Sequence, residues 1–157
     1  MKKLICFGVC LLGLFACKKD EDVVLTTQDY LVFGHFYGQC TGETCIEMFK
    51  IENNHLYEDT VDAYPASDTA YEGNYIIRSD TKYEQVKDLV NHLPARLLEE
   101  NSIVIGQPDA GDWGGIYIEV RKKGQRKFYL IDKMEENIPT YLQPFINEVE
   151  ASIAKLE

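Results

Sequence analysis

The chain predicts an α+β domain, a single antiparallel sheet with two main helices packed on one face. Strand-like runs come in adjacent groups, 30–37 with 46–52 and 55–61, then 115–122 with 127–132, and do not alternate singly with helices. Segments 80–98 and 139–156 repeat apolar residues at helical spacing. Turn-forming residues separate the runs within each group.

Tyr30 to Tyr37, YLVFGHFY, has apolar and aromatic residues on both alternating faces, as a buried strand does. The turn-rich GQCTGETC leads to IEMFKIE, which sets Ile46, Met48 or Phe49, and Ile51 against Glu and Lys, a half-exposed strand. Asn53-Asn54 suits a tight hairpin turn into HLYEDTV. Asp59 to Gly73 has no core pattern and reads as a loop, followed by a short strand over 75–78. Ser79 or Asp80 caps a helix carrying Tyr83, Val86, Leu89, Val90, Leu93, Leu97 and Leu98, which Pro94 kinks or divides. Ile103 to Ile105 and Gly115 to Lys122 read as strands, and KKGQRK turns the second into KFYLID. Pro139 sits near the first turn of a last helix with the stripe Leu142, Phe145, Ile146, Val149, Ile153 and Leu156.

The amino terminus is organised differently. Met1-Lys2-Lys3 is followed by 13 uncharged residues, Leu4 to Ala16. A permanent span needs roughly 20 apolar residues, so this run reads as a secretory leader. Leu14-Phe15-Ala16-Cys17 resembles the lipobox of bacterial lipoproteins. The resemblance implies cleavage before Cys17, a diacylglyceryl thioether on its sulfur and an acylated new terminus. Several acyl chains hold stably where one holds weakly. An ordinary signal peptide cut elsewhere and an uncleaved helix are the alternatives. Cys17-Lys18-Lys19-Asp20-Glu21 looks like the surface-export signal of Bacteroidetes lipoproteins, matched at Lys19, Asp20 and Glu21. It implies display on the outer face of the outer membrane, and a plain solvated tether is the alternative. The expected organisation is therefore a signal peptide over 1–16, a lipidated tether over 17–28 and one globular domain over 29–157.

Composition narrows the function classes. Removing residues 1–16 takes away Lys2 and Lys3 and leaves 14 basic against 26 acidic side chains, a formal charge of −12. A chain so acidic repels nucleic acid, so no nucleic-acid partner is expected, and its bulk charge also repels anionic head groups. The partners expected are the membrane, through the lipid, and a glycan or protein. Cys40 and Cys45 are the cysteines left after the leader and Cys17, an even pair in an oxidising compartment. A disulfide is the default reading; free thiols and metal or redox chemistry are the alternatives. No serine stands in Gly-x-Ser-x-Gly, no phosphate-cradling loop occurs, and His35, His55 and His92 lack metal-ligand spacing. No catalytic residue, metal ligand or cofactor is therefore assigned.

The stretch IGQPDAGDWGGIYIE, 105–119, places Asp109, Asp112 and Trp113, the one tryptophan, among glycines between two strands. An aromatic platform flanked by carboxylates suits a sugar ring or a peptide, so these three residues are the expected ligand contacts; a purely structural turn is the alternative. CTGETCIEMFKIENNHLYEDT resembles a domain found in bacterial lipoproteins, in which a Cys-x-Gly-x-Cys-Pro-x-Tyr stretch opens a hairpin. Here Ile46 stands in place of the Pro, the Tyr is absent, and the likeness carries no activity. The expectation is an outer-membrane lipoprotein that works as a surface-displayed non-enzymatic binding module. A cell-envelope hydrolase using a carboxylate pair and a protease inhibitor are the alternatives.

Replacing Lys19, Asp20 and Glu21 by Ala should protect the domain from protease added to intact cells. Unchanged digestion would remove the export reading.

Overall fold

A computed structural model describes residues 23–157. Cys17, Lys19, Asp20 and Glu21 lie outside the described residues. Seven strands, β1 (Tyr30–Phe36), β2 (Ile46–Glu52), β3 (His55–Asp59), β4 (Tyr75–Ile77), β5 (Val104–Ile105), β6 (Gly115–Lys122) and β7 (Gln125–Asp132), form one sheet in the order β4-β3-β2-β1-β6-β7-β5. Among the described residues the two α-helices are α1 (Asp80–Val86) and α2 (Gln143–Leu156).

The fold is α+β, but the sheet is mixed where an antiparallel one was expected, because β5 runs parallel to β7. The cause is topological. The β6–β7 hairpin folds back so that β7 lies between β5 and β6, and a strand that reverses β6 necessarily runs with β5. Both hairpin turns follow from local chemistry. Asn53 and Asn54 (φ 52° and 61°), and Lys123 and Gly124 (φ 50° and 79°), each put two positive-φ residues between paired strands, as type I′ turns require.

Alternation along β1 divides the core in two. Leu31 and Phe33 face α1 and α2 together with Phe49, Ile51, Ile116, Ile118, Val120 and Ile131, against Val86, Leu89, Phe145, Ile146, Val149 and Ile153. Val32 and Phe36 face the other way with Met48, Tyr117 and Leu130. That second face is covered by the 60–74 loop through Tyr71, only 7% exposed. The loop was expected to have no core pattern, because Tyr71 stands among small and polar residues, seven positions from the loop's other tyrosine, Tyr64, with no period to reveal it. β2 buries Glu47, Phe49 and Ile51 on one face and Met48 on the other, with Ile46, Lys50 and Glu52 half-buried, where a half-exposed strand was expected.

The helical segments keep their apolar spacing but not their predicted extent. Ser79 caps α1, its Oγ accepting from Lys82 N at 3.3 Å. The chain then tightens into a 3-10 turn, Lys87–His92, breaks at Pro94 and makes a second turn, Ala95–Glu99. Leu89, Leu93 and Leu97 are nevertheless all buried. The last helix starts after the Pro139 expected near its first turn. Pro139 O accepts from Leu142 N at 2.9 Å in a separate turn, and α2 has Pro144 in its first turn. A helix begun at Pro139 would carry Pro144 in its interior, where it lacks the N–H for the ladder. Lys82 Nζ reaches the far end of α2, bonding Lys155 O (3.1 Å) and Leu156 O (2.7 Å) and satisfying terminal carbonyls.

The described part of the expected tether is docked. Val23 is 2% exposed and its N–H bonds Leu93 O at 3.1 Å. Asp29 accepts from Thr26 N (2.9 Å) and from Lys123 N (2.7 Å), which ties the chain's entry to the β6–β7 turn. Cys40 and Cys45 form the expected disulfide, with Cα atoms 5.6 Å apart.

Asp132 is fully buried and accepts from Gln107 N (2.8 Å), Met134 N (2.9 Å) and Asn137 Nδ2 (2.8 Å). Asp132→Ala leaves these donors unmet and should cost about 2–4 kcal/mol, read as a lower urea midpoint at unchanged slope.

Candidate functional site

Three loops, 37–45, 60–74 and 106–114, converge at the end of the sheet where β1 and β7 finish and β2 and β6 begin. Asp109 joins them. Its Oδ2 accepts from Gly38 N (2.8 Å) in the first loop and from the Tyr64 hydroxyl (2.9 Å) in the second. Its Oδ1 accepts from Gly114 N (3.1 Å), and its own N–H bonds Gly114 O at 2.8 Å. A side chain on Gly38 would place its Cβ 2.5 Å from Asp109 Oδ2, so the first loop approaches this closely only as glycine. The Asp109 carboxylate, expected as a ligand contact, is hydrogen-bonded within the protein to all three loops and braces them.

The brace holds aromatic surface in place. The Tyr64 ring meets Phe36 edge-on at 5.1 Å and remains 50% exposed. Burial, with the Asp109 hydrogen bond second, pushes its hydroxyl up to about 12, so it stays a donor. Trp113 lies across Gly111, at φ 88°, where a Cβ would come 2.8 Å from the indole ring, and is 52% exposed. Asp112, also in the left-handed region at φ 67°, borders a hollow of about 500 Å³ shared with His35, Tyr37, Gln39, Thr44 and Glu157.

Sequence reasoning named Asp112 and Trp113 but missed the rest of this end. His35 is 8% exposed and donates from Nε2 to Thr44 O at 3.0 Å. Burial lowers its pKa below the usual 6.5, so it is neutral at pH 7. The Tyr37 hydroxyl accepts from Lys133 Nζ, which lies 3.1 Å from Glu150. Burial tends to lower the Lys133 pKa and is outweighed by the Tyr37 and Glu150 contacts, which raise it. Opposite His35 across the β1–β2 ladder sits Glu47. Burial, reinforced by the charges of Glu58, Asp62, Glu157 and Glu43, raises its carboxyl to about 7. The period-2 pattern puts His35 and Glu47 on their faces; only the register makes them neighbours.

A second polar cluster, also missed, occupies the loop-covered face. Glu119, 1% exposed, accepts from Tyr30 (2.7 Å), Tyr117 (2.7 Å) and Arg126 Nε (2.6 Å) and Nη2 (3.0 Å). Arg126 also bonds Tyr71 O and Glu72. The adjoining hollow of about 210 Å³ includes Lys50, whose ammonium stands 4.9 Å from the rings of Tyr57 and Tyr75. Every oxygen of Glu119 is taken, so this cluster works as a buried clamp of loop to sheet. Among the described residues, no three His, Cys, Asp or Glu side chains gather closely enough to hold a metal ion.

Because the folded pKa of Glu47 lies above its ordinary 4.5, the native state binds more protons than the unfolded chain between about 4.5 and 7. Stability contributed by the neutral carboxyl is complete below that window and is lost as the pH rises through it. Glu47→Gln should remove this loss and raise stability at pH 8 by about 1–2 kcal/mol, less than the full shift implies because solvent screens the site, as measured by urea unfolding across pH.

Compared with known proteins, the chain matches no family model and no curated sequence, so this end of the sheet is read from its own residues alone.

Proposed function

We propose that the protein is a surface-displayed outer-membrane lipoprotein, held by lipid on Cys17 and exported through Lys19, Asp20 and Glu21. It works as a non-enzymatic binding module that takes a glycan or protein ligand at the loop end of its sheet. Trp113 and Asp112 make the contact, and Asp109 acts from behind them.

One observation carries this reading. A single carboxylate cross-links three loops, and the loop it fixes carries a half-exposed tryptophan next in sequence to Asp112, which borders a hollow of about 500 Å³. Ordering loops before binding removes an entropic cost that would otherwise fall on affinity. A flat indole next to acceptor oxygens suits a sugar ring, whose faces are apolar and whose hydroxyls donate. The same surface suits a protein side chain entering the hollow.

A hydrolase is favoured by one observation, the Glu47 carboxyl held partly protonated near neutrality beside other acids. Under that reading Glu47→Gln abolishes turnover of an envelope glycan and leaves Trp113-dependent capture unchanged. A protease inhibitor needs an extended segment to present to an enzyme. The disulfide-closed segment instead curls into a 3-10 turn at Glu43–Cys45.

Trp113→Ala should weaken capture of envelope oligosaccharides or a purified protein ligand by about 10-fold or more, with the thermal midpoint unchanged because the ring is half solvated. Titration calorimetry on wild type and variant measures this, and equal affinities would remove the site.

A further inference from the structure

The end of the sheet opposite Trp113 has the reverse electrostatic character. Arg121 to Lys127 reads RKKGQRK, five basic residues and no acid within seven, on a chain of formal net charge −10. Arg126 is committed to Glu119 and Glu72. Among the described residues, no ion pair involves Arg121, Lys122, Lys123 or Lys127. Lys122, Lys123 and Lys127 ring a hollow of about 260 Å³ with Gln125 at its edge and Leu98 and Val120 as apolar lining; Lys127 Nζ donates one hydrogen bond to Leu98 O, and an ammonium has two further donors. Ammonium groups around an apolar floor match a phosphate-bearing head group with its first methylenes.

The position of this hairpin decides what it meets. Asp29 accepts from Lys123 N at 2.7 Å, so the tip is fastened to the segment by which the chain enters the domain. Five residues, and so six Cα-to-Cα steps, separate Cys17 from Val23 and, fully extended, reach only about 20 Å. A domain anchored through Cys17 therefore keeps its entry end, and the hairpin with it, close to the bilayer. The acids at the far end, Glu43, Asp62, Asp112 and Glu157, are repelled by the same surface.

We propose that the β6–β7 hairpin is a membrane-docking surface. Arg121, Lys122, Lys123 and Lys127 seat on the phosphates of anionic lipid head groups in the membrane that carries the anchor. The domain then stands with its entry end down and Trp113 outward. The inference rests on the anchored reading above and adds an orientation to it. Anchoring replaces a weak bimolecular encounter by an intramolecular one, so a local basic patch can act although the whole chain is acidic.

Residues 17–157 hold the whole described fold, and with Cys40 and Cys45 joined, Cys17 is the free thiol. Coupling Cys17 to a maleimide lipid fixes the anchor whether or not cells acylate it, so mass spectrometry of the native terminus tests the anchor separately. Trp113, the one tryptophan, then reports its height through energy transfer to dansyl head groups. Transfer should be lower on phosphatidylglycerol than on phosphatidylcholine vesicles, and the difference should vanish at about 0.5 M salt, where the screening length falls to a few ångströms. Replacing Arg121, Lys122, Lys123 and Lys127 by Gln should abolish the difference at an unchanged thermal midpoint. The charge-conserving set, Arg121→Lys with Lys122, Lys123 and Lys127→Arg, should keep it. Equal transfer from wild type on both lipids, or a glutamine variant that behaves as wild type, would overturn the proposal. So would loss of the difference on adding inorganic phosphate at constant ionic strength, which would mark a soluble anion as the occupant.

Discussion

The structure depends on the burial of β1 on both of its faces while it is hydrogen-bonded along both of its edges. Its register with β2 and with β6 runs without a break from Tyr30 to Phe36. A strand in that position needs two covers, and the chain supplies unlike ones. The helices pack on Leu31 and Phe33, and an irregular loop closes over Val32 and Phe36. Each fully buried large apolar side chain contributes about 1.5–3 kcal/mol, so the loop face is a second core and not an ornament on the first.

An irregular cover cannot satisfy its own backbone as a helix does, and polar clamps take over that task. Tyr71 donates to Asp59, whose oxygens also accept from Asn74 N and Asp62 N. The Tyr117 hydroxyl, buried beneath the loop, accepts from Tyr71 N at 2.9 Å and donates to Glu119. Asp109 applies the same solution at the sheet's end. Three carboxylates thus replace a regular element, and the loops they hold are where the only tryptophan emerges.

Polarity along the strands follows from the same frame. The end where the chain enters carries the basic hairpin, and the end where the loops meet carries aromatic surface and acids. Several of these acids sit close enough to raise the Glu47 carboxyl. That repulsion persists because Glu47 is fixed on a strand whose other residues, Phe49 and Ile51, are committed to the core.

Much of the fold was legible in the residues themselves. The strands at 30–36, 46–52 and 115–122, the apolar stripe of α2, the Ser79 cap, both two-residue turns and the Cys40–Cys45 bridge are set by local conformational preference or short spacing, which act within a few residues. Trp113 and Asp112 were legible as surface because glycines surround them. What only the tertiary structure decided was everything joining distant residues. This includes the insertion of β7 between β5 and β6, the burial of Tyr71, and the hydrogen bond that joins Gly38 to Asp109 across 71 residues of chain. It also includes the meeting of Tyr30 with Glu119, 89 residues apart. Such pairings depend on strand order and register, which local periodicity does not encode, because one alternating pattern serves equally well beside any neighbour that buries the same face.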